Sequence, residues 1–169
     1  MEIITYPNKI LKKISKPVEK FDGELHKLLD DMYSIMVDNQ GVGLAGIQVA
    51  VPRRVLIIDI GNEQGEQGEE TKLEVINPEF LTWDGTVKDS EGCLSVPEYY
   101  DEVERYANVK VKFYDRFGKE QIMDADGLLS VAFQHETDHL DGHLFIERLD
   151  YIKRKKFEKE WKRKLRQKK

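Results

Sequence analysis

The chain has 169 residues, 40% of them apolar and 35% charged, and a net charge of −5, which together are typical of one folded globular domain and exclude a disordered chain. Its longest apolar runs, such as 55–58, are too short to span a bilayer, and the first residues lack the pattern of a signal peptide, so we expect a cytoplasmic protein without a membrane partner. The single cysteine excludes an internal disulfide and agrees with a reducing compartment.

A first helix is predicted after Asp22, whose carboxylate can accept hydrogen bonds from the free N–H groups of a helix N-terminus. Apolar residues recur every three or four positions from Leu25 to Met36, so one face of this helix should pack on a core. The helix should end near 39–41, where a glycine-rich segment begins.

A series of short strands is predicted in the middle of the chain. Residues 54–60 are rich in β-branched side chains and predict the first of them. The polar, acidic segment 61–70 predicts a hairpin tip, to which we assign no function. Further strands are predicted at 73–76, 80–83, 87, 109–114 and 121–123, with a turn at 115–118.

A second helix is predicted over 128–140, capped by Asp126 and ended by Gly142. A third helix should begin near Asp150. These elements predict an α+β fold, with short antiparallel strands around a central helix and further helices near both termini. Residues 1–149 are expected to form a single domain that carries the chemistry, and 150–169 a basic helix extending from it.

The second predicted helix contains the sequence His-Glu-Thr-Asp-His at 135–139. Histidines at i and i+4 of a helix point the same way, so His135 and His139 can bind one metal ion. Glu136 beside them can take a proton from metal-bound water and pass it to a leaving group. The alternative is a pair of histidines that are merely solvated or hydrogen-bonded. It is disfavoured because the pair continues an apolar helix face, where both rings need polar partners.

A catalytic metal site usually has three protein ligands, so the chain must supply one more. Gly142 should turn His143 away from the helix face, and His26 is expected to be a packing or surface residue. Cys93 is the remaining candidate, in the segment 91–97, and metal coordination would make its thiol a strong ligand. An inert buried thiol is the competing interpretation, and spacing alone does not decide between the two.

Three segments together resemble those of the peptide deformylase family, in the same order and with the same spacing. They are 41–49 (GVGLAGIQV), 91–97 (EGCLSVP) and 134–142 (QHETDHLDG). The resemblance extends over nearly the whole chain, to about Leu149. This family removes the formyl group from the N-terminal methionine of newly made polypeptides, so the resemblance implies a metal-dependent hydrolase acting on N-formylmethionyl peptides.

The resemblance also implies roles for individual residues. The metal ligands would be Cys93, His135 and His139. Glu136 would be the general base and acid, and Gln48 and the backbone N–H of Leu94 would stabilise the developing oxyanion. The cofactor would be one divalent metal ion, Fe²⁺ in the cell, with Zn²⁺, Ni²⁺ or Co²⁺ able to occupy the same ligands.

The substrate is expected to lie between a glycine-rich segment and an apolar pocket. Gly43 and Gly46 resemble the residues that let the substrate backbone approach closely. The candidates for the wall of the methionine pocket are Leu128, Val131 and Ala132, and core packing is an equal alternative for Leu128. The candidates for the rim are Glu98, Tyr99 and Tyr100.

Three positions depart from the pattern of many relatives. Tyr100 stands where many relatives carry arginine, so the side chain available for contacts with the substrate backbone there is different. Ile47 replaces a proline and Gly46 an alanine, so the rigidity of that segment can differ. Arg105 is expected to pair with Glu91 near the metal segment, and the alternative is an ordinary surface ion pair, which contributes little.

The end of the chain is strongly basic. Residues 151–169 carry eleven Lys or Arg against two Glu, a net +9, whereas the other 150 residues carry 16 basic and 30 acidic side chains, a net −14. This asymmetry favours a polyanionic partner, and the resemblance implies the ribosome near the nascent chain rather than DNA. A solvated helix face is the alternative.

Two other functions fit parts of the pattern. A zinc endopeptidase shares the His-Glu-x-x-His helix, but its third ligand usually follows that motif, whereas Cys93 precedes it. A ribosome-associated protein with a structural metal would need four protein ligands, and the sequence offers three good ones together with Glu136.

Overall fold

The computed structural model describes residues 1–167, which contain seven β-strands and three α-helices, and the segment His135–His139 lies in the second of these helices. The strands are β1 Gly43–Ala45, β2 Val55–Ile58, β3 Leu73–Asp84, β4 Val87–Cys93, β5 Val96–Arg105, β6 Asn108–Tyr114 and β7 Glu120–Asp126. The helices are α1 Gly23–Asp38, α2 Gly127–Leu140 and α3 Tyr151–Gln167. The predicted α+β class is confirmed, and every strand pairing between these elements is antiparallel.

The first helix forms where its apolar periodicity predicts it. The Asp22 carboxylate accepts a hydrogen bond from Leu25 N at 3.1 Å, as expected of an N-cap. Four apolar side chains at helical spacing are completely buried, and they are Leu25, Leu29, Met32 and Met36. Burial of each such side chain stabilises the fold by roughly 1.5–3 kcal/mol, which holds this helix against the sheet.

Five strands form one sheet in the order β1-β2-β3-β6-β7. The strand β2, Val-Leu-Ile-Ile, is buried at every position and lies between β1 and β3. The polar segment 61–70 lies in the connection between β2 and β3, as predicted. The two stretches predicted at 73–76 and 80–83 are one long strand, β3, interrupted by irregular register.

The hairpin formed by β4 and β5 is the largest departure from the sequence analysis. The sequence predicts no strand over 91–97, but Cys93 ends β4 and Val96 begins β5, with only two residues between them. The strand β4, Val-Lys-Asp-Ser-Glu-Gly-Cys, is mostly polar and largely exposed, so it lacks the apolar alternation that predicts a strand. The hairpin carries the cysteine to the face of α2.

The helix α2 lies in the interior and contacts β1, β2, β6 and β7. Nine of its 14 residues are buried, including the polar residues Ser130, Gln134, Glu136, Thr137 and His139. The predicted cap is wrong in one detail, because the Asp126 side chain makes no capping hydrogen bond. The helix instead begins at Gly127, whose φ of +53° turns the chain sharply out of β7.

The helix α3 packs on the body through one aromatic face. Phe157 is buried, and the centre of its ring lies 4.7 Å from the ring centre of Tyr99. The ring centres of Trp161 and Tyr6 are 5.1 Å apart. The predicted helix over 150–169 is thus present to Gln167, and its last two residues lie outside the described part of the chain. None of the described helices combines the length and the apolar character needed to cross a membrane.

Candidate metal centre and substrate cavity

Three atoms that can bind a metal meet where α2 faces the β4–β5 hairpin. His135 and His139, one turn apart on α2, place their Nε2 atoms 3.3 Å from each other. The Sγ of Cys93, at the end of β4, lies 3.4 Å from the Nε2 of His139. One potential ligand atom from each of the three residues lies within 4.8 Å of the others. The fold therefore brings together the two histidines and the distant cysteine.

These spacings fit a four-coordinate metal ion. With a metal–sulfur bond of about 2.3 Å and metal–nitrogen bonds of about 2.0–2.1 Å, tetrahedral geometry places two nitrogens about 3.3 Å apart and sulfur about 3.6 Å from nitrogen. The observed separations of 3.3 Å and 3.4 Å agree with both values. Within residues 1–167, three such side chains converge, which is the number typical of a catalytic site rather than of a closed structural one.

The outer ring nitrogen of His135 is held by a buried ion-pair network. His135 Nδ1 lies 2.8 Å from Glu91 Oε1. Arg105 donates from Nε and Nη2 to the two oxygens of Glu91, at 2.8 Å and 3.0 Å. The same guanidinium donates from Nη1 to Asp138 at 2.8 Å. Glu91 and Arg105 are only 5% and 7% exposed, so this is not the ordinary surface pair that the sequence left open.

The pKa of Glu91 results from opposing effects within this network. Burial, the largest influence, would raise the pKa of the carboxyl group. The hydrogen bonds from His135 and Arg105, together with the positive charge of Arg105, outweigh burial and lower the pKa to about 2. Glu91 is therefore a carboxylate at neutral pH, which fixes the ring of His135 with Nε2 directed towards Cys93 and His139.

Glu136 lies beside the three potential ligands without being one of them. Its Oε1 is 3.8 Å from the Nε2 atoms of both His135 and His139. The side chain is 3% exposed, and burial raises its pKa to about 7. Burial also lowers the pKa of His139 well below its ordinary value. For His135, burial would lower the pKa as well, but the negative charge of Glu136 is the leading opposing cause, and the pKa is raised well above its ordinary value.

Gln48 approaches the same centre from the short 3-10 helix Gly46–Val49. Its Oε1 accepts a hydrogen bond from Ala45 N at 2.9 Å, which fixes which way the amide points. Its Nε2 then donates to Ser95 Oγ at 3.0 Å and lies 3.5 Å from Cys93 Sγ. The amide N–H₂ of Gln48 is thus directed at the sulfur side of the centre.

A cavity of about 510 Å³ opens beside these residues. His135, Glu136 and Cys93 line it. Its lining includes eight of the other residues singled out from the sequence, which are Gly43, Glu91, Leu94, Glu98, Tyr100, Leu128, Val131 and Ala132. Val131 and Ala132 are buried, whereas Leu128 is 54% exposed and lies at the mouth rather than deeper on the wall.

Two of the expected substrate contacts are placed elsewhere. Tyr99 is 8% exposed and points away from the cavity into the cluster that contains Phe157, because neighbouring residues of β5 alternate between its two faces. The rim therefore has Glu98 and Tyr100 without Tyr99. Gly46 is buried and does not line the cavity, and an added Cβ there would lie 2.8 Å from the carbonyl oxygen of Val51. Close packing of the chain, and not access for a substrate, accounts for glycine at that position.

The two remaining histidines are distant from the centre, as expected. His26 hydrogen-bonds the carbonyl oxygen of Arg116 at 2.8 Å. His143 is half exposed and lies 3.4 Å from Glu147.

Two residues of the site were missed in the sequence analysis. Asp138 accepts hydrogen bonds from both Arg105 and Arg148, and its position three residues after His135, on one helix face, was the available signal. Ser95, which is fully buried, accepts from Gln48. Nothing in its sequence context distinguishes it from an ordinary turn residue.

Comparison with known proteins agrees with this geometry. A family model described as polypeptide deformylase matches residues 1–155. A peptide deformylase of Nautilia profundicola is 77% identical over 168 residues, which cover 99% of this chain and 97% of that protein. One of Wolinella succinogenes is 52% identical over 166 residues, or 98% of each chain.

Solved structures give the same result. A peptide deformylase from Legionella pneumophila superposes with a TM-score of 0.88 at 40% identity, covering 99% of this chain and 98% of that one. A peptide deformylase from Plasmodium falciparum superposes with a TM-score of 0.90 at 32% identity, covering 98% and 96%. Sequence and fold therefore agree over almost the whole length, which sets aside the endopeptidase and structural-metal alternatives. The chain belongs to the peptide deformylase family and is a hydrolase.

Proposed function

We propose that this enzyme removes the formyl group from the initiator methionine of nascent polypeptides, with a divalent metal held by Cys93, His135 and His139 and with Glu136 as the proton carrier. The observation that carries the proposal is the convergence of one sulfur and two nitrogens within 4.8 Å, beside a buried carboxylate 3.8 Å from both nitrogens. Hydrolysis of the formyl amide consumes one water and yields formate and the free amine.

A metal ion held by these residues would supply Lewis-acid polarisation of water and of the formyl oxygen. The donor set is one thiolate and two imidazoles, which suits soft and borderline cations. We infer iron as the metal in the cell, with zinc, nickel or cobalt able to bind the same ligands. The Glu91–Arg105 pair supports the site by holding His135 in the orientation that ligation requires.

Glu136 is suited to carry protons in both directions. A general base works best when its pKa is close to the operating pH, and burial raises the pKa of Glu136 to about 7. It would accept a proton from the attacking water and then deliver it to the nitrogen of the leaving methionine. Its side chain lines the cavity, so it is within reach of both.

Gln48 and the backbone N–H of Leu94 are proposed to stabilise the formyl oxygen as it gains charge. The amide of Gln48 is oriented in advance by Ala45 and Ser95, so little reorganisation is needed. Leu94 lies in the two-residue turn after Cys93 and lines the cavity. Loss of one such donor typically raises the barrier by about 2.7–4 kcal/mol.

The methionine side chain is proposed to bind against Val131 and Ala132. Both are buried, both line the cavity, and they lie one turn before His135 on the same face of α2. Gly43 and the rim residues Glu98 and Tyr100 would meet the peptide backbone, and Leu128 the mouth of the pocket. Because newly made chains are the substrate, we place the reaction in the cytoplasm, with α3 as the contact to the ribosome.

The proposal is tested by measuring formate release from a formyl-Met-Ala-Ser peptide with protein prepared without oxygen. Wild type is compared with Glu136→Gln, which keeps the size of the side chain but cannot accept the proton. Metal content is measured on both. We expect rapid formate release by wild type and a loss of at least about 10²-fold in the variant with metal still bound. No formate from metal-loaded wild type would refute the proposed activity, and equal rates in both proteins would refute the role of Glu136.

A further inference from the structure

The wall of the cavity formed by residues 39–43, here called the cavity wall, has little support from regular structure. All five of its residues line the cavity. Gln40 has a φ of +60°, and β1, which begins at Gly43, is a three-residue strand at the edge of the sheet. Asp59 N donates to Val42 O at 2.8 Å, and Gly41 N donates to Met36 O at 2.9 Å. These two bonds satisfy the N–H of Gly41 and the carbonyl of Val42, and they leave the carbonyl oxygen of Gly41 to another donor.

Gln67 supplies such a contact from the polar segment between β2 and β3. Its Nε2 donates to Gly41 O at 3.0 Å and to Asp59 O at 2.7 Å. One amide group thus joins the cavity wall to the chain that follows β2. Gln67 is partly buried, whereas Gln64, three residues earlier on the same segment, is exposed.

A buried carboxylate fixes the segment that presents Gln67. Asp59 is completely buried, and its Oδ2 accepts from Tyr33 Oη at 2.6 Å and from Gly68 N at 3.2 Å. Its Oδ1 accepts from Gly61 N at 3.0 Å. Both ends of the segment 61–68 are therefore bound to one side chain, which holds Gln67 in place.

The cavity wall fits its neighbours so closely that small displacements matter. A Cβ added at Gly41 would lie 2.7 Å from the Cδ1 of Leu94, and one added at Gly43 would lie 2.7 Å from the Oε2 of Glu136. A shift of the wall by a few tenths of an ångström would therefore change the shape of the cavity next to both residues.

We propose that Gln67 is a positioning residue for the substrate, which acts by holding Gly41 and with it the cavity wall against which the peptide binds. This inference rests on the proposed function, because it assigns the cavity to a formylmethionyl peptide. It gives the polar segment 61–70 a role in substrate affinity. Gln67 touches neither the reacting atoms nor the metal ligands, and it holds Gly41 rather than Gly43, the residue that lies against Glu136. Its removal should therefore affect KM more than kcat.

The test compares Gln67→Glu with Gln64→Glu in the metal-loaded enzyme. The first change places a carboxylate against two carbonyl oxygens, and the second makes the same chemical change at an exposed position nearby. We expect the KM of Gln67→Glu for formyl-Met-Ala-Ser to rise about tenfold, with kcat within about threefold of wild type, because a buried carbonyl loses its donor. The affinity for the product peptide Met-Ala-Ser, measured by calorimetry, should fall by a similar factor. Gln64→Glu should match wild type.

An unchanged KM and product affinity in Gln67→Glu would overturn the inference, even if the thermal midpoint falls, because that result describes a purely structural residue. Equal effects of both variants would also overturn it, since they would indicate a general effect of added negative charge. If wild type releases no formate, the proposed activity fails, but the comparison of Met-Ala-Ser affinity still tests Gln67. Absence of peptide binding by wild type would count against both.

Discussion

The carboxylate of Glu91 lies 2.8 Å from His135 Nδ1, and the bond joins the β4–β5 hairpin to the helix α2 across the proposed metal centre. Arg105 neutralises the same carboxylate from the opposite strand of the hairpin, with two hydrogen bonds of 2.8 Å and 3.0 Å. The three groups are almost completely withdrawn from water. A network of this kind stabilises the fold only while the carboxylate is ionised.

Stability should therefore fall at acid pH in a way that depends on Glu91. The pKa of this group is about 2 in the folded protein, against an ordinary value of 4.5. A lowered pKa means that the stabilisation is fully present above pH 4.5 and is lost as the pH falls from 4.5 towards 2. The difference of about 2.5 units corresponds to roughly 3 kcal/mol in the free energy of unfolding.

The measurement is denaturant unfolding of metal-free protein between pH 7 and pH 2, for wild type and Glu91→Gln. Wild type should lose stability more steeply below pH 4.5 than the variant, so that the difference between them shrinks on acidification. Glu98→Gln, which changes an exposed carboxylate on the same hairpin, is the control and should follow wild type. Parallel curves for wild type and Glu91→Gln would contradict the prediction.

Gly43→Ala should damage catalysis without preventing folding. The added methyl would lie 2.7 Å from Oε2 of Glu136 and 2.8 Å from its Cδ, so the carboxylate must move. Displacement of a catalytic group by about 1 Å typically costs on the order of 10²-fold in rate. We expect kcat to fall by about this factor while the circular dichroism spectrum is retained. Gly23→Ala is the control, because nothing lies within 4 Å of an added Cβ there, and a kcat of Gly43→Ala equal to that of the control would refute the prediction.

Much of the fold could be predicted from the sequence because its helices are strongly periodic. The apolar repeat from Leu25 to Met36 predicts α1 closely, and the boundaries of α2 were placed within one residue. The hairpin of β4 and β5 could not be predicted in the same way, because β4 is mostly polar with only Glu91 buried, and half of the residues of β5 are exposed. Missing β5 also misplaced Tyr99, since the alternation of side chains along a strand sends this residue to the face opposite Glu98 and Tyr100.

In the site as well, the relation between residues that are close in sequence could be predicted, whereas the packing of residues that are distant in sequence could not. The pair His135 and His139 follows from helix geometry alone, but Cys93 lies 42 residues before the first of them, and only the resemblance to the family connected it to the helix. The sequence suggested the pairing of Glu91 with Arg105 but not its burial. Burial of that pair depends on how the hairpin packs on α2, which no local pattern encodes.

The size of the side chain at Ala132 should affect selectivity for methionine if the proposed pocket is correct. This side chain is 8% exposed and lines the cavity one turn before His135. Ala132→Leu adds three carbon atoms to the wall, so we expect the KM for a formyl-Met peptide to rise by about tenfold or more while that for a formyl-Ala peptide changes less. Leu128→Ala, at the exposed mouth, should leave the ratio of the two KM values nearly unchanged. Equal changes with both peptides in Ala132→Leu would show that the residue does not contact the side chain of the substrate.

The proposed contact with the ribosome should depend on the exposed basic face of α3. Lys156, Lys162 and Arg163 are exposed, whereas Phe157 on the opposite side of the helix is buried against the body. Because each contact with a phosphate releases about one counterion, reversal of these three charges to Glu should weaken binding to purified ribosomes and lower the slope of log K against log salt by about 2 to 3.

The control is the reversal of three exposed lysines on the body, Lys13, Lys20 and Lys119, which changes the net charge by the same amount. Sedimentation with ribosomes at several salt concentrations distinguishes the two variants. If the basic face of α3 contacts the ribosome, the first variant should lose much of its affinity for ribosomes and the second only a little. Screening confines electrostatic attraction to roughly 10 Å at 0.1 M salt, so distant charges contribute little. Equal losses would mean that only overall charge matters, and α3 would then be a solvated helix that packs on the enzyme through Phe157.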